Sequence, residues 1–336
     1  MTSYQYYPHQ VAGHDTLLLV PGGTGEPALV AKPAQPSEIV FYQQLQAERY
    51  NDLRQWLPLF KGTMPMPVQD THTQAIQQGR QSASFLSPGL SEKANRRSDV
   101  CQECILLENL LEGYEKPCVI DIKLGQRLFA ADATAEKRRA MEEAARTTTS
   151  GSTGLRITGM KVCAVERDIR PLETAIRRHQ PQFSRLADYA QPIQGGQGFD
   201  KRFGRFLTPA SFPFGLSAWL LPAKESTAFK QFLASLIHSL SSLMNALSRH
   251  VPNHLQLYSS SLLLAYDAAS PSSRSCAKLI DFARSRHVDL PLPDHADETR
   301  SAELQRLLEQ RDADGGVLFG LKNLVTALQQ QDGLYE

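Results

Sequence analysis

The sequence of 336 residues lacks several features that would place it in common functional classes. Its formal net charge is +1, from 36 Lys and Arg against 35 Asp and Glu, so no excess of one sign attracts the chain to nucleic acid or to a membrane surface. No run approaches the roughly 18 apolar residues that span a bilayer, and the N-terminus has no basic flank followed by an apolar core. We therefore expect a protein that is neither secreted nor membrane-spanning and that does not bind nucleic acid directly.

Cysteines and phosphate-loop motifs are also sparse. Five cysteines without a framework spacing indicate a reducing compartment. Cys101 and Cys104 have C-x-x-C spacing, but no second pair or nearby histidine follows, so a structural pair is a better interpretation than zinc or redox chemistry. The chain contains neither GxGxxG nor GxxxxGK(S/T), and the glycine cluster at 21–27 predicts a simple hairpin turn between the apolar runs 17–20 and 28–32.

What is present is the composition of an ordinary globular protein, with 41% hydrophobic and 21% charged residues. The length is enough for one large domain or for two lobes with substantial cores. Residues 69–100 are polar and show no periodicity, which predicts a flexible insert. The apolar positions of 223–250 recur at helical spacing and predict a long core helix.

The stretch 117–125, PCVIDIKLG, is the feature on which the functional prediction depends. Side chains alternate along a strand, so Asp121 and Lys123 share one face while Ile120 and Ile122 occupy the other. A half-buried strand with a salt-bridged polar face is one interpretation, and for an isolated D-x-K it is the better one. The other is a strand that lines a pocket, with the lysine directed at phosphate and the aspartate at hydroxyl groups. The proline before the strand and the glycine after it favour the pocket.

Other motifs follow in a fixed order along the chain. They are HQVAGH at 9–14, TTSGSTGLRITGMK at 148–161, KRFGRFLT at 201–208, SSLL at 260–263, IDFA at 280–283 and GGVLFGLKNL at 315–324. The Thr, Ser and Gly residues of 147–154 predict a turn-rich loop, followed by a strand at 160–165. Together with PxxxDxKxG, these segments resemble the inositol polyphosphate kinases over most of the chain, most closely the fungal multikinase branch of that family.

The resemblance implies an α+β, two-lobed inositol polyphosphate kinase fold. This fold is similar to protein kinases and to ATP-grasp proteins, with antiparallel sheets, helices and ATP in the cleft between the lobes. The N-terminal lobe would comprise residues 1–110, including the insert. The C-terminal lobe would comprise residues 111–336, including an inositol-phosphate-binding helix at 134–146.

The same resemblance implies ATP and Mg²⁺ as cofactors and assigns residues to the nucleotide. Lys32 would contact the ATP phosphates, and Glu38 would either hold Lys32 in place or lie on the surface of a helix. The backbone carbonyl of Glu108 and the amide of Leu110 would meet the adenine. Asp121 would bind the ribose hydroxyls.

The remaining site residues lie on the substrate side. Asp281 ends an apolar strand in Asp-Phe-Ala, which resembles the DFG arrangement of protein kinases and would supply a hard oxygen ligand to Mg²⁺. Lys123, with Asp281, is a candidate catalytic residue that would contact the transferring phosphate or the substrate. Lys137 and Lys161 would anchor other substrate phosphates, although a solvated basic face is the alternative for Lys137. Arg284 stands where family members usually have a substrate-contacting histidine, and it could bind phosphate through two hydrogen bonds.

The function implied by the resemblance is ATP-dependent phosphorylation of inositol trisphosphate and tetrakisphosphate towards the pentakisphosphate. Three rivals stay open: an inositol hexakisphosphate kinase, a phosphoinositide 3-kinase acting on lipid, and a transcriptional scaffold whose pocket is vestigial. We expect a monomer whose partners are inositol phosphates. The expected location is the nucleus, the cytoplasm or both, with nuclear residence suggested by the resemblance.

Overall fold

The computed structural model describes residues 4–13, 16–23, 25–66, 103–130, 133–165, 168–251, 254–287, 316–332 and 334. The predicted insert, Cys101 and a short helix predicted near 302–308 lie outside the described residues. Within the described part, no helix combines the length and the apolar character needed to cross a membrane.

Two antiparallel sheets with surrounding helices give the α+β architecture. The first sheet has the order β1-β2-β3-β5-β4 and consists of Gln5–Tyr6 (β1), Leu18–Val20 (β2), Leu29–Pro33 (β3), Phe60–Pro65 (β4) and Glu103–Glu108 (β5). The second has the order β12-β11-β6-β7-β9-β8 and consists of Pro117–Leu124 (β6), Leu155–Val162 (β7), Ala190–Ile193 (β8), Gly196–Phe199 (β9), Ser261–Asp267 (β11) and Ser275–Ile280 (β12). A short pair joins Leu255–Gln256 (β10) to Arg286–His287 (β13). The predicted lobe boundary at 110 falls between the two larger sheets, and the lobes themselves stay a prediction.

The helices flank these sheets. The described α-helices are Pro36–Gln44 (α1), Ala135–Arg146 (α2), Thr149–Thr153 (α3), Arg170–His179 (α4), Lys201–Phe206 (α5), Phe212–Leu220 (α6), Phe229–His250 (α7) and Val317–Gln329 (α8). The predicted core helix is confirmed as α7, although it begins only at 229 because 223–225 form a separate 3-10 turn. The hairpin of β2 and β3 around the glycine cluster is also confirmed.

Two local predictions about residues 147–165 are wrong. The predicted loop contains helix α3, because Thr148 caps its first turn by accepting a hydrogen bond from the amide of Ser150, and Thr153 donates to the carbonyl of Thr149 over 2.7 Å. Gly154 ends this helix in the left-handed conformation at φ 68°. The strand that follows is β7, which starts and ends earlier than the predicted segment 160–165.

Strand β6 lies at the centre of the second sheet, between β11 and β7. Its residues Ile120, Ile122 and Leu124 are fully buried in the main hydrophobic core, which α6, α7 and α8 help to form. Alternation therefore directs Asp121 and Lys123 to the opposite face, as the sequence predicts. The buried side chains on one face fix this strand in the core, so the site residues on its other face lie on a rigid element.

Candidate active site

Three charged side chains from two distant parts of the chain meet between the two sheets. The Nζ of Lys32, on β3, donates hydrogen bonds to Glu38 Oε1 over 2.7 Å and to Asp281 Oδ1 over 2.8 Å. Glu38 lies in the first turn of α1, is only 2% exposed, and also accepts a hydrogen bond from the amide of Phe282 over 2.9 Å. The predicted pairing of Lys32 with Glu38 is confirmed, and the alternative of a surface glutamate is wrong.

Asp281 follows directly after β12 and has a positive φ of 64°. Aspartate tolerates this left-handed conformation better than most residues with a side chain. Burial disfavours its charged form, but the nearby charges of Lys32 and Lys123 outweigh that effect and hold the pKa of Asp281 below its usual range. Because its side chain is still 35% exposed, Asp281 presents an ionised carboxylate that a cation can reach.

Asp121 is 6% exposed, and a β-bulge determines its environment. Asp121 pairs with Gly159 and the next residue pairs with Ile157, so Thr158 is the extra residue of the bulge. The Thr158 hydroxyl donates to Asp121 Oδ1 over 2.6 Å. Burial and the negative charge of Asp281 raise the pKa of Asp121, with Lys123 acting in the opposite direction. Asp121 is thus suited to exchange hydrogen bonds with hydroxyl groups.

Lys123 does not form an ion pair with Asp121 among the described residues. Its Nζ instead donates to the carbonyl of Ser259 over 2.9 Å and to the Ser259 hydroxyl over 3.3 Å. Burial lowers the pKa of Lys123, against the attraction of Asp281 and Asp121. The interpretation of β6 as a strand with a salt-bridged polar face is therefore wrong. Asp121 and Lys123 instead lie in one polar site together with Asp281.

Arg284 lies beside Lys123 at this site. Its Nη1 donates to the hydroxyl of Ser259 over 3.2 Å and to the carbonyl of Leu128 over 3.3 Å. Burial lowers the pKa of the Arg284 guanidinium, while the charge of Asp281 opposes that shift. Ser259 accepts hydrogen bonds from both Lys123 and Arg284. It has a positive φ of 55°, a strained conformation of the kind found at functional sites.

The chain passes between the two sheets at Glu108 and Leu110. The amide of Glu108 donates to the carbonyl of Leu59 over 3.0 Å, and its carboxylate accepts hydrogen bonds from the amide of Leu59 and from Lys278. The amide of Leu110 makes no hydrogen bond to any residue that the structure describes. This half-buried donor is free to meet a planar ligand.

Two predicted substrate contacts lie apart from this cluster. Lys137 is exposed on α2, a helix that borders the site because Met141 Sδ is 3.9 Å from Nη1 of Arg284. Lys161 is only 2% exposed, and its Nζ is 3.1 Å from Nδ1 of His9. The roles of Lys137 and Lys161 stay predictions, and the Nζ of Lys161 is already in contact with His9.

The contact between His9 and Lys161 predicts a pH dependence of stability. Burial, with the charge of Lys161, lowers the pKa of His9 from 6.5 to about 4. Between these values the unfolded chain binds more protons than the folded protein, so the free energy of unfolding should fall as the pH drops. After allowance for partial exposure, we expect His9 to account for roughly 1–3 kcal/mol of this fall.

Urea unfolding at several pH values measures this contribution. A His9→Gln variant should show a smaller fall between pH 6.5 and pH 4, while His238→Gln, at an exposed position on α7, should behave as the wild type. An unchanged fall in the His9 variant would refute the assignment.

Sequence reasoning did not identify Ser259 or Thr158 as site residues. Ser259 immediately precedes the SSLL motif, so the sequence indicates the segment in which it lies but not its role. Thr158 carried no signal of its own, because only the register of β6 and β7 reveals the bulge that directs its hydroxyl to Asp121.

A divalent cation could bind at this site only if a bound ligand supplied some of its coordinating atoms. Among the described residues, no three His, Cys, Asp or Glu side chains gather as they do in an all-protein metal site. Mg²⁺ is commonly bound by one or two carboxylates together with water and phosphate oxygens. The ionised and accessible carboxylate of Asp281, next to Lys32, fits a cation of this kind that a phosphate compound brings with it.

Comparison with known proteins agrees with this geometry. The model of the family described as inositol polyphosphate kinase matches residues 104–329. The chain is 30% identical to the inositol polyphosphate multikinase of Schizosaccharomyces pombe over 83% of this chain and 88% of that protein. It is 33% identical to the Saccharomyces cerevisiae multikinase, but over only 48% of each chain. It is also 28% identical to mouse inositol hexakisphosphate kinase 3, over 68% of this chain and 51% of that protein.

A solved structure supports the fold independently. The crystal structure of the inositol phosphate multikinase Ipk2 from S. cerevisiae, in complex with ADP and Mn²⁺, superimposes with a TM-score of 0.60. The match covers 90% of this chain and 98% of that chain at 24% sequence identity. The expected inositol polyphosphate kinase fold is thereby confirmed.

Proposed function

This chain belongs to the inositol polyphosphate kinase family, and from that membership we propose that it is an ATP-dependent multikinase. It phosphorylates inositol trisphosphate and tetrakisphosphate towards the pentakisphosphate. The observation that carries the proposal is the convergence of Lys32, Asp121, Lys123 and Asp281, which come from three distant segments of the chain. The two fungal relatives that are named multikinases support the substrate class.

We propose that the nucleotide binds to the backbone at Glu108 and Leu110 and to the carboxylates of Asp121 and Asp281. The amide of Leu110 and the carbonyl of Glu108 would hold the adenine, and Asp121 would hold the ribose hydroxyls. Lys32 would contact the phosphates and Asp281 would hold Mg²⁺, which agrees with the ADP and Mn²⁺ in the complex of the S. cerevisiae enzyme. Bound ATP would supply the phosphoryl group, and the metal would neutralise part of its charge.

The remaining cations would serve the inositol phosphate. Phosphoryl transfer depends mainly on positioning and charge stabilisation, so no covalent role for a side chain is needed. Lys123 is adjacent to both carboxylates and would contact the transferring phosphate. Arg284 would bind a substrate phosphate beside it, and Lys137 and Lys161 are proposed as outer contacts. The nucleotide would lie between lobes formed by 1–110 and 111–336, and we propose a nuclear or cytoplasmic location.

Product mapping with the purified protein tests the proposal. With ATP, Mg²⁺ and inositol trisphosphate, chromatography should show successive conversion to the tetrakisphosphate and the pentakisphosphate. Inactivity towards every inositol phosphate would reject it. Phosphorylation of phosphoinositide in mixed micelles, assayed in parallel, would reveal a lipid kinase activity.

An inositol hexakisphosphate kinase is the second candidate. It is favoured by the similarity to mouse inositol hexakisphosphate kinase 3, which covers 68% of this chain. Turnover of the hexakisphosphate alone, with the trisphosphate and tetrakisphosphate left unchanged, would establish this alternative.

A further inference from the structure

The segment that leads into β11 brings Ser259 next to two cations of the candidate active site. Ser261, the first residue of β11, pairs with Lys123 on β6, and the amide of Leu124 donates to the carbonyl of Ser260 over 2.9 Å. Ser259 therefore lies beside the end of β6, just outside the paired strand. Because Ser259 is only 6% exposed, its oxygen atoms act mainly on neighbouring side chains and not on water.

The backbone of Ser259 departs from the conformation of the strand that follows it. Apart from Asp281, Ser259 is the only residue other than glycine with a positive φ in the described part of the chain. In an extended strand the carbonyl group bonds to the neighbouring strand. At φ 55° the carbonyl of Ser259 instead accepts a hydrogen bond from Nζ of Lys123 over 2.9 Å. Glycine would adopt this conformation without strain, so the side chain of the serine needs a reason of its own.

The hydroxyl group of Ser259 accepts hydrogen bonds from two different cations. Its Oγ atom is 3.3 Å from Nζ of Lys123 and 3.2 Å from Nη1 of Arg284. Ammonium and guanidinium groups are donors that carry no acceptor atom, so the serine oxygen must accept both hydrogen bonds through its lone pairs. A single neutral oxygen thus joins the two positive groups.

Without this oxygen, repulsion would favour a larger separation of the two cations. Burial and, to a smaller extent, the charge of Arg284 lower the pKa of Lys123, whereas Asp281 attracts both groups. The hydrogen bonds of both cations to described residues go only to neutral groups. Hydrogen bonds to a charged group favour its charged form, so the oxygen atoms of Ser259 offset part of the repulsion.

We infer that Ser259 is a positioning residue, whose hydroxyl group sets the distance between the Lys123 ammonium and the Arg284 guanidinium. The proposed function places the transferring phosphate at Lys123 and a phosphate of the substrate at Arg284. A fixed distance between the two cations therefore fixes the inositol ring relative to the phosphoryl group that it receives. Ser259 acts through the two cations, and the inference rests on the proposed function for the identity of the two phosphates.

Two substitutions in the full-length chain separate the hydroxyl group from the backbone. Ser259→Gly removes the hydroxyl, keeps the carbonyl and relieves the strain, so its melting temperature should stay within about 4 °C of the wild type. Its kcat with inositol trisphosphate should fall about 10- to 100-fold because the reacting groups are misplaced, while the KM for ATP should change less than about twofold. Ser259→Ala, which keeps the strain, should lose as much kcat. A glycine variant with the kcat of the wild type would overturn the inference.

A matched control and a double-mutant cycle separate positioning from a general structural effect. Ser273→Gly is the control, because Ser273 is exposed in the turn at the other end of β11, and its kcat should change less than about twofold. In an Arg284→Met background, Ser259→Gly should lower kcat by no more than about threefold, since the group that the hydroxyl positions is already absent. An equal loss of kcat in both backgrounds would show that Ser259 does not act through Arg284.

Crystal structures of the ligand-free wild type and Ser259→Gly test the positioning without a substrate. The distance between Nζ of Lys123 and Nη1 of Arg284 should increase by about 1 Å or more in the variant, a displacement large enough to impair catalysis. An unchanged distance in an active enzyme would reject the positioning role alone. If the wild type phosphorylates no inositol phosphate, the proposed function fails, and the same pair of structures still decides whether the hydroxyl group positions the two cations.

Discussion

Replacement of Asp281 by asparagine is expected to lower kcat about a thousandfold while the protein stays folded. The substitution removes the ionised oxygen that we assign to Mg²⁺, and with it much of the charge stabilisation on which phosphoryl transfer depends. Asparagine is the appropriate replacement because residue 281 has φ 64°, which asparagine tolerates and alanine does not. Lys32 keeps its ion pair with Glu38 in this variant, so the loss of stability should be small.

Steady-state kinetics with ATP and inositol trisphosphate measure this effect. A titration with Mn²⁺ tests whether the loss comes from weaker metal binding. The concentration of Mn²⁺ needed for half-maximal activity should rise in Asp281→Asn. Asp168→Asn is the control, because Asp168 pairs with Arg170 at the exposed surface and its loss should change kcat less than about twofold. A variant at 281 that keeps half of the wild-type kcat would show that this carboxylate does not hold the metal.

The part of the site that lies on single strands could be predicted from sequence. Alternation along β6 is a local property, so PCVIDIKLG alone indicates that Asp121 and Lys123 share a face. The resemblance placed Lys32, Glu38 and Asp281 near one nucleotide, and the hydrogen bonds of Lys32 to both carboxylates agree with that. The shared face of Asp121 and Lys123 and the contacts among Lys32, Glu38 and Asp281 are confirmed, and the nucleotide roles of these residues stay predictions.

The features that depend on how strands are paired could not be predicted. The bulge that brings Thr158 to Asp121, and the register that sets Arg156 opposite Lys123, join segments more than 30 residues apart. Lys161 illustrates the same limit, because nothing in its local pattern indicates that the segment around His9 covers it. The glycine in GMK has a physical reason that only the structure reveals: a Cβ at Gly159 would lie 1.9 Å from the carbonyl oxygen of residue 11.

Helix α3 shows how side chains can override composition. The run of Thr, Ser and Gly at 147–154 has the composition of a loop, yet hydroxyl groups within it satisfy the backbone groups at the helix ends. The helix follows α2 almost directly and precedes β7, so it determines where that strand begins. The early start of β7 in turn places Arg156 within the sheet instead of in the preceding loop.

Replacement of Lys32 by methionine should have the largest effect on stability, a loss of roughly 2–4 kcal/mol in the free energy of unfolding at pH 7. Methionine fills the volume of the lysine stem but leaves Glu38 and Asp281 facing each other without the cation between them. Urea unfolding measures the loss, and kcat should fall with it because the contact to the ATP phosphates is removed. Lys230→Met is the control, since the pair of Lys230 with Asp332 is exposed and should contribute little.

Two further results would tie the instability of this variant to repulsion between the carboxylates. Without Lys32, Asp281 loses a cation that lowers its pKa, so the pKa of Asp281 should rise in the folded variant as it takes up a proton to relieve the repulsion. A folded-state pKa above the unfolded value stabilises at low pH and loses that effect as the pH rises, so the deficit should be smaller at pH 5 than at pH 7. Addition of Glu38→Gln, which retains an oxygen for the amide of Phe282, should restore part of the stability but not the activity. A deficit that is equal at both pH values and in the double variant would mean that lost packing, and not unpaired charge, destabilises the protein.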